Sequence, residues 1–191
     1  YIILKWAESK DKFLAPLTRK RMQISGEEAQ KLVHQWRSEE QAVFVGTRTA
    51  LHDDPKLNVR LVEGRNPLRV VIDRNLVIPS QFHVMDKTQP TLILNGRTDS
   101  IEENLVRAKI IFDDDVLQHA FSKLYEMNIQ SVLVEGGAEI FSSLLKINLW
   151  DEARVFTSHE DLTMGVPAPH LNMEPTEEKI IGTDKLRIYY S

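Results

Sequence analysis

Residues 131 to 145 read S-V-L-V-E-G-G-A-E-I-F-S-S-L-L. Ser131 to Val134 is a short run, nearly all apolar, as a strand covered on both faces should be. Two glycines follow. Ile140, Phe141, Leu144 and Leu145 then recur at helical spacing. The stretch predicts a strand, a tight junction at Gly136-Gly137 and a helix. Such units build α/β sheets, in which helices separate parallel strands.

The same pattern extends outward in both directions. Strand-like runs occur at 1–5, 42–45, 68–72, 91–94, 109–112 and 153–157. A helix carries Ala29, Leu32, Val33 and Trp36. Its start, Ser25-Gly26-Glu27-Glu28, fits a capping box in which Ser25 caps and Glu28 reaches back. Another carries Leu117, Ala120, Phe121 and Leu124, with Asp114 or Asp115 as its cap. The tail from Glu178 to Ser191 predicts two strands turning near Gly182-Thr183-Asp184. The fold class expected is an α/β, mostly parallel sheet flanked by helices, with an antiparallel edge from the tail hairpin.

Composition narrows the function. The 191 residues fit one domain and can bury a core. A hydrophobic content of 42% and a charged content of 27% are those of soluble globular proteins. The net charge of −4 argues against a nucleic-acid binder. No apolar run approaches the roughly 18 residues of a membrane span. The absence of cysteine excludes disulfides, thiolate catalysis and cysteine-based zinc sites. A cytoplasmic location is expected. An opening strand that begins at Tyr1 suggests that the natural chain starts earlier.

In an open α/β sheet, ligands bind beyond the carboxyl ends of the strands. Four loops leaving strands carry chemistry. Lys5, inside the first apolar run, is either a cation held in a cleft or an edge-strand charge whose stem snorkels. Residues 46–60, G-T-R-T-A-L-H-D-D-P-K-L-N-V-R, place Arg48, Lys56 and Arg60 with Asp53 and Asp54 just past a core strand. Asp54-Pro55 makes a turn there, since proline disfavours helix before it. Gly136-Gly137 ahead of a helix suits an anion, although glycines also serve steric needs. It is not the G-x-G-x-x-G fingerprint, so a standard Rossmann assignment is unsupported. Glu135 beside such a site is unfavourable unless it has a task. Arg74, after Ile72-Asp73, either meets a cofactor phosphate or is solvated.

Taken together, these motifs resemble the reductase domain of the bifunctional riboflavin biosynthesis deaminase/reductase family. Leu4-Lys5, Ala7, Ser9 and Asp11 match its first motif, and Arg37 matches an arginine late in the first helix. Val45-Gly46, Thr49, Asp53-Asp54-Pro55, Leu57 and Arg60 match its most specific motif. Pro67, Arg69, Val71 and Asp73 match the next, and Val134-Glu135-Gly136-Gly137 the last.

The resemblance implies a dihydrofolate-reductase-like fold and NADPH as cofactor. It implies reduction of 5-amino-6-(5-phosphoribosylamino)uracil at the ribose C1′. It also implies a homodimer and a zinc deaminase domain, on the same natural chain or as a separate protein. No H-x-E with P-C-x-x-C occurs in this sequence, so the expectation is a cut-out domain or a stand-alone reductase. By position, Ala7, Thr49, Asp53, Arg74 and the turn Gly137-Ala138-Glu139 would contact NADPH. Arg37, Leu57 and Arg60 would hold the substrate, and Lys5 and Glu135 would bracket the reacting ribose. The family's glycine after Asp11 is Lys12 here. Gln23 replaces a frequent tryptophan, Arg21 stands where some members place a serine, and Thr163 to Pro169 matches a late glycine-rich loop loosely. Two rivals remain: a reductase of this fold acting on another pteridine-like or pyrimidine substrate, and a non-catalytic nucleotide-binding domain that scaffolds a deaminase.

Overall fold

Near-continuous apolar runs form the centre of a ten-stranded sheet in the structure, a computed structural model that describes residues 1–17 and 23–191. Strands β1 (Ile2–Glu8), β3 (Ala42–Gly46), β4 (Leu68–Ile72), β5 (Thr91–Asn95), β7 (Leu105–Lys109), β8 (Val132–Gly136) and β9 (Glu152–Thr157) run parallel, in the order β9-β1-β8-β3-β4-β5-β7. The tail hairpin, β11 (Glu177–Ile181) and β12 (Asp184–Tyr190), adds the antiparallel edge beside β9, as expected. A second antiparallel strand, β6 (Ser100–Glu102), closes the other edge. Strands β2 (Phe13–Pro16) and β10 (Gly165–Pro167) pair in a separate small sheet.

Alternation along each strand sorts the side chains onto two faces. Leu4, Trp6, Phe44, Leu92, Leu94 and Val134 pack on one face, under α3 (Val116–Glu126) and α4 (Ala138–Lys146). Ile3 and Leu133 lie on the other with Ala29, Val33 and Trp36 of α1 (Glu27–Glu39). Val43, Val45 and Val71 share that second face with Ala50 of α2 (Thr47–Asp53) and with Leu57.

Four local expectations are corrected in whole or in part. The strand expected at 109–112 lies at Leu105–Lys109, because Leu105 and Ala108 are buried while Ile111 is 64% exposed past the strand end. The start of α1 is not a capping box. Gly26 is the N-cap, and its N–H donates to Asp184 Oδ2 at 2.7 Å, so a carboxylate from the tail hairpin takes the N-cap N–H that Glu28 was expected to reach back for, and Ser25 does not cap. Asp115 does occupy the N-cap position of α3, but its side chain makes no capping bond. Finally, residues 47–53 are helical rather than loop; Asp54 caps that helix with left-handed backbone, φ 39°.

Lys12 also has left-handed backbone, φ 70°, which explains why glycine suits this position. Its ammonium lies 2.5 Å from Oε1 of the buried Glu8. Lys12→Gly and Lys12→Ala both remove that ion pair, but only Ala keeps the backbone cost. Lys12→Gly should therefore be more stable than Lys12→Ala by about 1 kcal/mol, read from urea midpoints at equal slope. Equal midpoints would refute a strained backbone here.

Candidate active site

The two-face alternation places the chemistry. On β1, Ile3 faces α1, so Lys5 and Ala7 face the same way. On β8, Leu133 faces α1, so Glu135 does too. The strands are in register at Leu4 and Val134; Lys5, midway along β1, and Glu135, near the carboxyl end of β8, follow one step later. From the opposite side, His34 and Arg37 lie three residues apart on α1, both buried.

Arg37 and Glu135 form a bidentate ion pair, Nε to Oε1 at 2.5 Å and Nη2 to Oε2 at 2.7 Å. Their side chains are only 11% and 8% exposed. The second Arg37 terminal nitrogen, Nη1, donates to the carbonyl of Asn58 at 3.1 Å. Glu135 thus has a structural task that the sequence did not reveal: it neutralises a buried guanidinium 98 residues away. Burial alone would raise the Glu135 carboxyl pKa, but the charge and hydrogen bonds of Arg37 hold it below the usual value. Burial lowers the pKa of Lys5, and Arg37 adds to that, while Glu135 opposes it. The site therefore contains a carboxylate held ionised and an ammonium that gives up its proton more readily than usual.

Val45, Thr49, Asp53, Pro55 and Leu57 line a cavity of about 170 Å³ together with Arg37 and Glu135. The most specific sequence motif is thereby brought to the Lys5 side of the sheet. Within it, Asp54 has a separate role. Its carboxylate accepts the His83 backbone N–H at 2.7 Å and contacts Nδ1 of the same residue at 2.8 Å, which ties the end of α2 to the loop at 83. Arg60, three residues beyond Leu57, is exposed and is not among the residues that line this cavity; its Nη1 donates to Asn58 Oδ1 at 3.1 Å.

The junction from β8 to α4 is built for close approach. A Cβ at Gly136 would lie 2.9 Å from Thr49 Oγ1 and 3.1 Å from its Cγ2; one at Gly137 would lie 2.9 Å from the same oxygen. Gly137 is the N-cap of α4, and Ala138 and Glu139 open its first turn. Exposed Glu139, a carboxylate favoured in a helix's first turn, also pairs with Arg48 of α2.

Arg74 does not join this cavity. It lines a larger one of about 620 Å³, with Arg97, Lys109, Asp99, Gly96 and Phe112, at the carboxyl ends of β4, β5 and β7. The Arg74 guanidinium lies 5.8 Å from the centre of the Phe112 ring. Arg97 donates to Asn75 at 2.9 Å. Three cations against one carboxylate favour an anion, and the volume is in the range of a nucleotide-sized pocket. Arg97 and Lys109 were missed in the sequence; their signal was position at strand ends, as for Arg74. Arg21 and the segment 18–22 lie outside the described residues. The loosely matched loop at Thr163 contains β10, where a Cβ at Gly165 would lie 2.4 Å from the carbonyl of Ala15. That glycine is required by strand packing. Among the described residues, no cluster of histidine and acid groups could hold a metal, and no helix is long and apolar enough to cross a membrane.

Residues 1–158 match the model of the RibD C-terminal domain family. The chain belongs to this family. It is 32% identical over 186 residues to riboflavin biosynthesis protein RibD of Aquifex aeolicus, covering 94% of this chain and 52% of that protein. It is 35% identical over 164 residues to the 2,5-diamino-6-ribosylamino-4(3H)-pyrimidinone 5′-phosphate reductase of Methanothermobacter thermautotrophicus, covering 81% and 76% respectively. Among solved structures, the deaminase/reductase of Thermotoga maritima superposes with a TM-score of 0.84 at 27% identity, over 98% of this chain and 55% of that one. The yeast reductase Rib7 gives 0.76 at 21% identity, over 100% and 89%, which speaks for the fold alone. The chain thus spans about half the length of its bifunctional relatives and three quarters of the single-activity one. The resemblance read from the motifs is borne out, and with it the dihydrofolate-reductase-like fold.

Proposed function

We propose that this chain is an NADPH-dependent reductase that converts 5-amino-6-(5-phosphoribosylamino)uracil to its ribitylamino product in riboflavin biosynthesis. Membership of this reductase family implies a nicotinamide cofactor. The observation that carries the reading is the meeting of Lys5, Arg37, Thr49, Asp53, Leu57 and Glu135 at one strand edge, with a cationic cavity along the same edge. The matched single-activity relative is named for the diaminopyrimidinone, the compound before deamination. Both compounds carry the same ribosylamino phosphate, so the residues placed here serve either.

The glycine pair packs against the Thr49 side chain, where a Cβ would collide, and its second member is the N-cap of α4, which suits a dinucleotide's pyrophosphate. Thr49, Asp53 and Ala7 would hold the nicotinamide end, the Gly137-Ala138-Glu139 turn the pyrophosphate, and Arg74 the 2′-phosphate. Bound NADPH would supply hydride for C1′ of the ring-opened imine. The protein's own contribution is position and proton control. Lys5, with its lowered pKa, is the proton donor at the imine nitrogen. Glu135 stays ionised and steadies the cationic imine while holding Arg37. Arg37 and Arg60 take the substrate phosphate, and Leu57 packs against the base. The active unit is proposed to be a cytoplasmic homodimer, with a deaminase domain on the same natural chain or a separate one.

The test is NADPH oxidation with the deaminated and the diamino compound in parallel, with dihydrofolate as control. Turnover of dihydrofolate alone would move the chain to another substrate class, and turnover of none would favour the scaffold reading. The cationic cavity adds a quantitative expectation. NADPH should bind at least about tenfold more tightly than NADH, roughly 1.4 kcal/mol, and Arg74→Ala should erase most of that preference. Equal affinities by titration calorimetry in the parent would remove Arg74 from the cofactor site.

A further inference from the structure

We infer that His34 is a positioning residue for the substrate's 5′-phosphate: its Nδ1 anchors the main chain at Arg60 and so sets where that guanidinium points. This rests on the proposed function, in which Arg60 meets the phosphate.

Residues 57–60 have no regular secondary structure, and Leu57 is their buried anchor. The Val59 N–H donates to Asn66 Oδ1 at 2.7 Å, and the Leu57 carbonyl accepts from Gln89 Nε2 at 3.3 Å. Helix α1 holds the other two, Asn58 and Arg60. The N–H of Arg60 donates to His34 Nδ1 at 3.1 Å. Arg37, one turn along the same helix, donates to the carbonyl of Asn58 at 3.1 Å. The Arg60 guanidinium then leans on Asn58 Oδ1, also at 3.1 Å. His34 is only 3% exposed, so its ring is fixed by the core.

The chemistry of the position explains the residue type. The acceptor must sit among cations, since Arg37, Arg60 and Lys5 all act on His34, with Glu135 as the opposing charge. A carboxylate here would accept the N–H equally well, but it would also pair with the arginines and compete with a phosphate dianion for them. A lysine or arginine has no acceptor. Neutral histidine accepts through Nδ1, keeps its proton on Nε2 and adds no charge. Burial, with the neighbouring arginines, pushes its pKa down to about 4, so it remains a neutral acceptor at physiological pH.

The experiment uses steady-state kinetics on the whole chain, with the ribosylaminopyrimidine 5′-phosphate and its dephosphorylated nucleoside as paired substrates. His34→Leu removes the acceptor. His34→Gln is a polar alternative that displaces it, and keeps the comparison open if the leucine variant does not fold. His34→Asn places Oδ1 where Nδ1 was. For the leucine or glutamine variant, KM for the phosphorylated substrate should rise about tenfold, the value of roughly one hydrogen bond. Turnover, NADPH affinity and KM for the nucleoside should stay within about twofold, so the preference for phosphate falls by the same tenfold. His34→Asn should keep KM within about threefold of the parent. A purely structural histidine would instead weaken both substrates equally, or would not be rescued by asparagine, and either result overturns the inference. If the parent turns over the phosphorylated compound and all three variants match it, only the role of His34 falls. If the parent turns over neither compound, the proposed function falls and takes the phosphate role with it.

Discussion

Lys5→Met should lower turnover by about 10² to 10⁴, the range expected when a positioned proton donor is lost. Methionine keeps the length and the apolar stem, so the strand and its packing against α1 should survive. Stability should hold or rise slightly, because burial penalises the lysine ammonium and the thioether carries no such penalty. NADPH affinity should change little, since Lys5 is assigned to the substrate side. The pH profile supplies the sign. A donor must be protonated, and burial lowers the Lys5 pKa from its ordinary value, so activity should fall as pH rises through that lowered value. This alkaline limb should be missing from the residual activity of Lys5→Met. A variant that turns over within about threefold of the parent, with the limb intact, would assign the proton to another group.

How much of this was readable in sequence depends on which signal each element leaves. The central strands were legible because a strand buried on both faces must be apolar throughout, and Ala42 to Val45 is fully buried. The helix α2 was not, since seven residues interrupted by two threonines leave no usable period. The strand β7 was misplaced because Ile110, Ile111 and Phe112 are more apolar than Leu105 to Lys109, yet they leave the sheet to line a cavity. The cap of α1 was missed because Asp184 lies 158 positions from Gly26. At the site, the motif residues were identifiable one by one, but their partnerships were not. Nothing local ties Glu135 to Arg37, or His34 to Arg60. The available clue to His34 was its spacing: it lies three residues before Arg37, on the same helix face. Such links appear only when alternation on β1 and β8 is combined with the seat of α1 on the same face.

The Arg37–Glu135 pair offers a way to separate folding from chemistry. Removing one member of a buried ion pair leaves the other charge uncompensated, at a cost of about 3 to 5 kcal/mol. Glu135→Ala should therefore destabilise strongly, and Arg37→Met should do the same by stranding the carboxylate. Glu135→Gln keeps one acceptor oxygen for the guanidinium, so its stability loss should be smaller, about 1 to 3 kcal/mol. Its turnover should still fall by about 10² or more, because the charge proposed to steady the reacting centre is gone. The decisive variant removes both charges. Arg37→Met combined with Glu135→Leu replaces the pair with apolar groups of similar length, which often restores stability or improves it. Its urea midpoint should return to within about 1 kcal/mol of the parent, so the stability effects should be far from additive. Turnover of the phosphorylated substrate should nevertheless remain at least about 10² below the parent, since neither the proposed phosphate ligand nor the ionised carboxylate is present. Recovery of both stability and turnover would make the pair a folding device alone, with the chemistry resting on Lys5. Recovery of stability without turnover would leave the charges as part of the reaction, held in place by each other until substrate arrives.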